Sequence, residues 1–147
     1  PMTGNHEAPH WSPDGRLFLF DSDMELAGIV SSAISIYTMN ADGTHHRRIL
    51  ANGEFPRWSP DGGMIAFMIR SGPWQVFLSN ADGTGQHQLT SGDYDVRYPA
   101  WSPDGRWLAF AGNQEGHWEL YAIPREGGQP LRLTFGAGDS SYPAWGP

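Results

Sequence analysis

The chain of 147 residues contains no cysteine and no lysine. The first absence excludes disulfides, thiolate catalysis and cysteine-ligated zinc, and it leaves the redox compartment open, because a cysteine-free chain tolerates either state. The second leaves arginine as the source of all nine basic side chains, set against 16 acidic ones. The resulting net charge of −7 excludes a nucleic-acid backbone as partner, since phosphate binding needs a basic surface. Long hydrophobic runs are also missing. No segment reaches the roughly 18 apolar residues of a membrane-spanning helix, so no membrane insertion by such a helix is expected. The first residues, PMTGNHEAPH, lack the basic start and apolar stretch of a signal peptide, although a mature exported protein would have lost one.

What is abundant is punctuation. Glycine and proline supply 31 residues, 21% of the chain, below the roughly 25–30% that marks low complexity. Aromatics are 13%, with seven tryptophans, which points to many short strands and turns. These residues recur with a period. The string WSPDG occurs three times, as Trp11, Ser12, Pro13, Asp14, Gly15; as Trp58, Ser59, Pro60, Asp61, Gly62; and as Trp101, Ser102, Pro103, Asp104, Gly105. A partial copy begins at Trp145, so the tryptophan spacings are 47, 43 and 44 residues. A proline stands two residues before each of these tryptophans, at Pro9, Pro56, Pro99 and Pro143. A second string, NADGT, occupies residues 40–44 and 80–84, and its third copy has drifted to residues 124–128.

Each period reads as four short strands. Strand A ends in the tryptophan. SPDG then turns the chain, because proline presets φ, aspartate suits the next position and glycine takes the left-handed one. Strand B follows at residues 17–20, 64–67 and 107–110, and a variable loop leads to strand C at 34–39, 76–79 and 119–123. NADG is a turn of the same chemistry, and strand D closes the period around Leu50, Thr90 and Thr134. Four strands every 43–47 residues are the signature of a β-propeller blade, so the predicted fold is all-β with four-stranded antiparallel blades. Blade boundaries fall at residues 9–55, 56–98 and 99–142, with 143–147 starting a fourth blade.

The pattern P-x-WSPDG-x-x-x-A-F, a loop, then E-L/I-Y-x-M-N-A-D-G and R-L-T resembles the WD-like repeat of TolB-type β-propellers. Residues 99–134 match it nearly throughout, and the resemblance covers about residues 2–147. It implies a bacterial, periplasmic or otherwise extracytoplasmic setting and a protein-binding role. The same repeat occurs in propellers attached to prolyl oligopeptidase and tricorn peptidases, so it also implies a substrate-gating alternative. A purely structural segment is a third reading, since the motif residues describe blades and not chemistry.

Both ends read as interrupted blades: Met2 and Thr3 match the tail of a strand D, and residues 143–145 match a strand A. Closed propellers have roughly four to eight blades. Three blades therefore suit either part of a longer propeller or half of a six-bladed ring built as a homodimer, with self-association through open blade edges. In the half-ring, two strands A would claim one innermost slot at each junction.

Antiparallel order sorts the loops into two faces: tight turns on one, variable loops on the other. The variable face carries Glu7, Asp21, Asp23, Glu25, Glu54, Asp93, Asp95, Glu115 and Asp139 against Arg70 and Arg97, which accounts for the whole net charge. With Trp74, Tyr94, Tyr98, His117, Trp118 and Tyr142 it forms a candidate binding face that suits a cationic peptide, a protein partner or a metal ion. A solvated rim would have the same composition. Residues 21–33 carry an insertion of about six residues relative to the other blades, apolar in its middle, which suits contact with a neighbour or simple loop tolerance.

Three motifs mislead. His6, Glu7 and His10 fit H-E-x-x-H, but that zinc site needs a helix and Pro9 disrupts one. Asp21, Asp23 and Glu25 have the oxygen spacing of a calcium loop without its central glycine or distal glutamate. Ser12, Ser59 and Ser102 open turns and are not nucleophiles. The expectation is no catalytic residue, no metal site and no cofactor. The repeated tryptophans pack between blades and the repeated aspartates cap their turns.

Overall fold

The computed structural model describes residues 6–23, 34–136 and 138–146. Within them the chain forms twelve strands and no helix: β1 (His6–Trp11), β2 (Leu17–Ser22), β3 (Ser35–Asn40), β4 (Arg47–Leu50), β5 (Glu54–Trp58), β6 (Met64–Arg70), β7 (Trp74–Asn80), β8 (His87–Gln88), β9 (Val96–Trp101), β10 (Trp107–Gly112), β11 (Glu119–Pro124) and β12 (Leu131–Arg132). They make three antiparallel meanders, β1-β2-β3-β4, β5-β6-β7-β8 and β9-β10-β11-β12. The first strands of successive sheets, β1, β5 and β9, adjoin one another and form the inner wall of an open arc. The H-E-x-x-H string lies in strand β1, which lacks the one-face helical spacing that a metallopeptidase needs.

The turns show why each hairpin closes. In the first, Gly15 N–H donates to Ser12 C=O at 2.9 Å, and Ser12 Oγ donates to Asp14 Oδ1 at 2.7 Å while accepting Leu17 N–H. Asp14 Oδ1 also accepts Arg16 N–H. The same set recurs with Ser59, Asp61 and Gly63, and with Ser102, Asp104 and Arg106. The turn glycines Gly15, Gly62 and Gly105 sit at φ 69°, 70° and 67°, where a side chain would be strained. At the other turns, Asp42 and Asp82 each accept two hydrogen bonds from Thr44 and Thr84. Ala41, Ala81 and Arg125 N–H groups reach the carbonyls of Arg16, Gly63 and Arg106, which ties the two turns of each blade together on one face.

Outer strands β8 and β12 end two residues before the Thr90 and Thr134 at which the sequence closes strand D. Thr90 and Thr134 are the reason. Their hydroxyls accept the N–H groups of Val76 and Leu120, while the N–H groups of Leu89 and Leu133 still donate to the carbonyls of the same two residues, so a side chain takes one half of the pairing at the edge.

The core lies between blades, because strand alternation gives each sheet two apolar faces. Leu19, Ile36 and Leu50 of the first blade meet Trp58, Ile65 and Phe67 of the second. Ala66, Val76 and Leu78 of the second meet Leu108, Phe110, Tyr121 and Ile123 of the third. Each blade carries a cross-strand ring pair, Phe20–Tyr37, Phe67–Phe77 and Phe110–Tyr121, at 5.8, 6.1 and 5.7 Å. Trp101 Nε1–H donates to Arg57 C=O of the preceding blade at 3.1 Å, and Trp145 repeats this onto Ala100 C=O at 3.0 Å. At the first junction Trp58 offers its backbone N–H to His10 Nδ1 instead, and its indole N–H is buried without a partner. Residues 138–146 form no strand, yet they occupy on blade three the position that β9 occupies on blade two. Most of the insertion at 21–33 lies outside the described residues.

Trp58 is 6% exposed and Trp11, which no preceding blade covers among the described residues, is 49% exposed. Trp58→Ala is expected to cost about 3–5 kcal/mol of unfolding free energy and Trp11→Ala under about 1.5 kcal/mol, measured by urea denaturation.

Candidate functional site

The variable face is shaped by one backbone device used four times. Ala8, Phe55, Tyr98 and Tyr142 each precede a proline and each have positive φ, at 48°, 51°, 58° and 58°. In the three sheets this residue and its proline oppose a single residue of the next strand, which makes a β-bulge. Left-handed geometry is costly for residues with a Cβ and is further disfavoured before proline, so packing around it must hold it.

That packing is an aromatic row. Phe55 meets the edge of Tyr98 at 5.7 Å, and Tyr98 stacks on Tyr142 at 4.2 Å with an interplanar angle of 20°. The Tyr142 hydroxyl donates to the Tyr98 hydroxyl at 3.2 Å. Alongside, the Arg97 guanidinium lies over the Trp118 ring at 4.7 Å.

Three of the predicted acidic residues act as clips between blades. Asp21 Oδ2 accepts Phe55 N–H at 2.6 Å, Asp95 Oδ1 accepts Trp74 N–H at 2.9 Å, and Asp139 Oδ1 accepts Trp118 N–H at 2.9 Å. Asp95 N–H in turn donates to Asn113 Oδ1. Each clip supplies a charged acceptor to a backbone donor that would otherwise need water. Asp93, Glu115 and Arg70 are exposed, while Asp23, Trp74 and Tyr94 are half-buried, and Glu25 lies outside the described residues.

At the junction of blades one and two, Glu7 and Asp21 are paired across β1 and β2, and Glu54 stands within electrostatic range of both. Burial, then repulsion from Asp21 and Glu7, pushes the Glu54 carboxyl up. Burial also raises Asp21, opposed by the Phe55 N–H. Arg57 faces Asp21, and burial lowers its guanidinium from the ordinary range. The charge division drawn from the sequence is therefore too sharp: Arg57 and Arg132 reach carboxylates of the variable face, although the repeat alignment grouped them with the balanced remainder. Strand A and strand D simply run far enough to deliver them there.

Sequence reasoning did not single out Glu119. Its side chain is fully buried at the start of β11, where it accepts hydrogen bonds from the Thr134 hydroxyl, Gly136 N–H, Arg132 Nη2 at 2.8 Å and His117 Nε2 at 2.9 Å. The Thr134 hydroxyl, followed by Gly136 N–H, contributes most to holding the carboxyl at about 2. Arg132 also stands 4.0 Å from Glu115. In blade two Gln75 fills the equivalent place, accepting from the Thr90 hydroxyl and donating to Tyr94 C=O. The signal was present in the E-L-Y of the repeat, read there only as a strand start.

Two recesses lie on the tight-turn side. One of about 400 Å³ runs along the inner wall, bounded by His10, Arg57 and the four repeat tryptophans. The other, of about 450 Å³ between blades one and two, is bounded by Asp14, Asp61, Asp82, Arg47 and Trp58. Its aspartates are held below the ordinary carboxylate range chiefly by serine or threonine hydroxyls. Among the described residues, no group of three or more metal-ligating side chains converges.

These features define an open array of β-propeller blades whose inner strands share one wall. The profile of the TolB beta propeller domain matches residues 2–147, and the chain belongs to that family. The structure is similar to a protein of Agrobacterium tumefaciens assigned as TolB, with TM-score 0.75, 25% identity, and coverage of 99% of this chain and 54% of that one. It is similar to TolB from Acinetobacter baumannii at TM-score 0.72 and 22% identity, covering 94% of this chain and 34% of that one. A puromycin-hydrolyzing peptidase of Mycobacterium tuberculosis gives TM-score 0.71 and 19% identity, covering 90% of this chain and 24% of that one. The chain thus spans about half or less of these structures. Among curated proteins nothing matches.

Two outcomes follow from the site geometry. Asp95→Ala is expected to cost about 1.5–3 kcal/mol by loss of a clip, while Asp93→Ala changes unfolding free energy by under about 0.5 kcal/mol, both read by urea denaturation. Glu119 lies below its ordinary 4.5 in the folded chain, so its contribution to stability is complete above that value and is lost as pH falls towards about 2. Melting temperatures across that window should fall less steeply in Glu119→Gln than in the parent.

Proposed function

We propose that the chain is a non-catalytic binding scaffold that captures a cationic peptide or protein segment on its variable-loop face. The observation that carries this reading is the gathering of Glu7, Asp21 and Glu54 within electrostatic range of one another, with Arg57 facing Asp21, next to the aromatic row of Phe55, Tyr98 and Tyr142. A surplus of carboxylates beside half-buried Phe55 and Tyr98 and exposed Tyr142 suits a lysine or arginine side chain, which gains both ion pairing and cation–π contact. The tight-turn aspartates offer less, because their oxygens are committed to turn hydrogen bonds.

An extracytoplasmic location goes with this reading, as does self-association through open blade edges; a strict monomer by light scattering would remove the latter. The likeness to a peptidase supports a second reading, in which the blades gate substrate for a separate hydrolase domain. A hydrolase with a nucleophile elbow in the surrounding reading frame would favour it over the first.

The binding test is fluorescence anisotropy with an arginine-rich peptide and an acidic control. The expected result is saltable binding of the basic peptide alone, weakened about tenfold (~1.4 kcal/mol) in the double variant Glu54→Gln, Asp93→Asn. Equal binding of both peptides, or no change in the double variant, contradicts the reading.

A further inference from the structure

We propose that Tyr98 and Tyr142 form a site of oxidative cross-linking, at which a one-electron oxidant of the haem-peroxidase class, driven by hydrogen peroxide, joins the two rings as dityrosine. The geometry is the argument. The rings are nearly parallel, with centroids 4.2 Å apart and hydroxyl oxygens 3.2 Å apart. Both rings therefore point the same way, and the carbons ortho to each hydroxyl, which lie between centroid and oxygen, face one another at a comparable separation.

This pairing follows from the repeat. Tyr98 and Tyr142 occupy the same pre-proline, left-handed position in successive periods, so the bulge aims both side chains alike. Phe55 stands at that position one blade earlier and Ala8 at the first, and neither can form a phenoxyl radical. The segment carrying Tyr142 is anchored on both sides. Asp139 Oδ1 accepts Trp118 N–H, Ser140 N–H donates to Trp118 C=O at 2.7 Å, and Trp145 Nε1–H donates to Ala100 C=O.

Access favours the same pair. Tyr142 is 70% exposed and Tyr98 is half-buried, whereas Tyr37 and Tyr121 are buried. Tyr94 is half-buried and supplies an internal control.

The step balances. Each phenol gives up one electron and its hydroxyl proton, and the two phenoxyl radicals couple through their ortho carbons. One new C–C bond forms, the ortho hydrogens shift to the oxygens as the rings regain aromaticity, and the two electrons and two protons reduce one hydrogen peroxide to two waters. The product lacks two hydrogen atoms and fixes residues 138–146 covalently to the third blade.

The experiment treats dilute protein with hydrogen peroxide and a haem peroxidase, then follows dityrosine fluorescence, gel mobility and peptide mass spectrometry. The expected result is a monomeric product in which the peptides of Tyr98 and Tyr142 are linked with the loss of two hydrogens. Y98F and Y142F should each abolish that linked pair, and Y94F should leave its yield unchanged. Trp145→Ala retains both phenols but releases one anchor, and should lower the yield several-fold. Cross-links found only between chains, a Tyr94-linked product of equal yield, or an unchanged yield in Trp145→Ala would overturn the proposal.

Discussion

The fold depends on the contact between one blade and the next. A four-stranded sheet of this composition is apolar on both faces and cannot bury either by itself. Each interface therefore combines three elements: an apolar layer, a tryptophan set against the preceding inner strand, and an aspartate accepting a backbone N–H from the neighbouring blade. The apolar layer supplies most of the energy, and the clip fixes how one sheet sits on the next. The clips lie at the variable end and the serine–aspartate turns at the other; the turns and the Asp95 and Asp139 clips repeat, whereas Asp21 clips from a different strand position.

This arrangement also governs what the variable face can offer a partner. A carboxylate on that face is not free charge by default. Asp21, Asp95 and Asp139 are spent on the scaffold, while Glu54 and Asp93 are placed on it. The left-handed residue before each proline does similar double duty, since its strain is held by packing and its side chain builds the aromatic row. The binding proposed for this face would therefore share residues with the architecture, in contrast to the tight-turn face, where hydroxyls and carboxylates satisfy one another locally.

Much of the fold was legible in the sequence because the repeat writes its turns in full. Pro13, Asp14 and Gly15 specify a turn by φ preference and local hydrogen bonding, and three copies in register leave little freedom for the strands between them. The ends of β8 and β12 were not legible, because the hydroxyls of Thr90 and Thr134 take the place of a backbone acceptor there. The clips were hidden for another reason. Asp93 and Asp95 look alike in the chain, and only the approach of Trp74 N–H from the previous blade separates their roles. Glu119 escaped notice because a buried carboxylate needs partners from β12 and the segment after it, which local pattern cannot reveal. The positions of Arg57 and Arg132 show the same limit for charge: a net sum over loops misses side chains delivered by the strands.

Amide hydrogen exchange at Phe55, Trp74 and Trp118 tests the inter-blade clips most directly. These three donors have carboxylate partners on a neighbouring blade or on the segment that takes its place. If the clips organise the array, the three amides exchange slowly and open together with the strand amides of their interfaces. Exchange at the rate of an open loop, with the neighbouring strands still protected, would contradict the account.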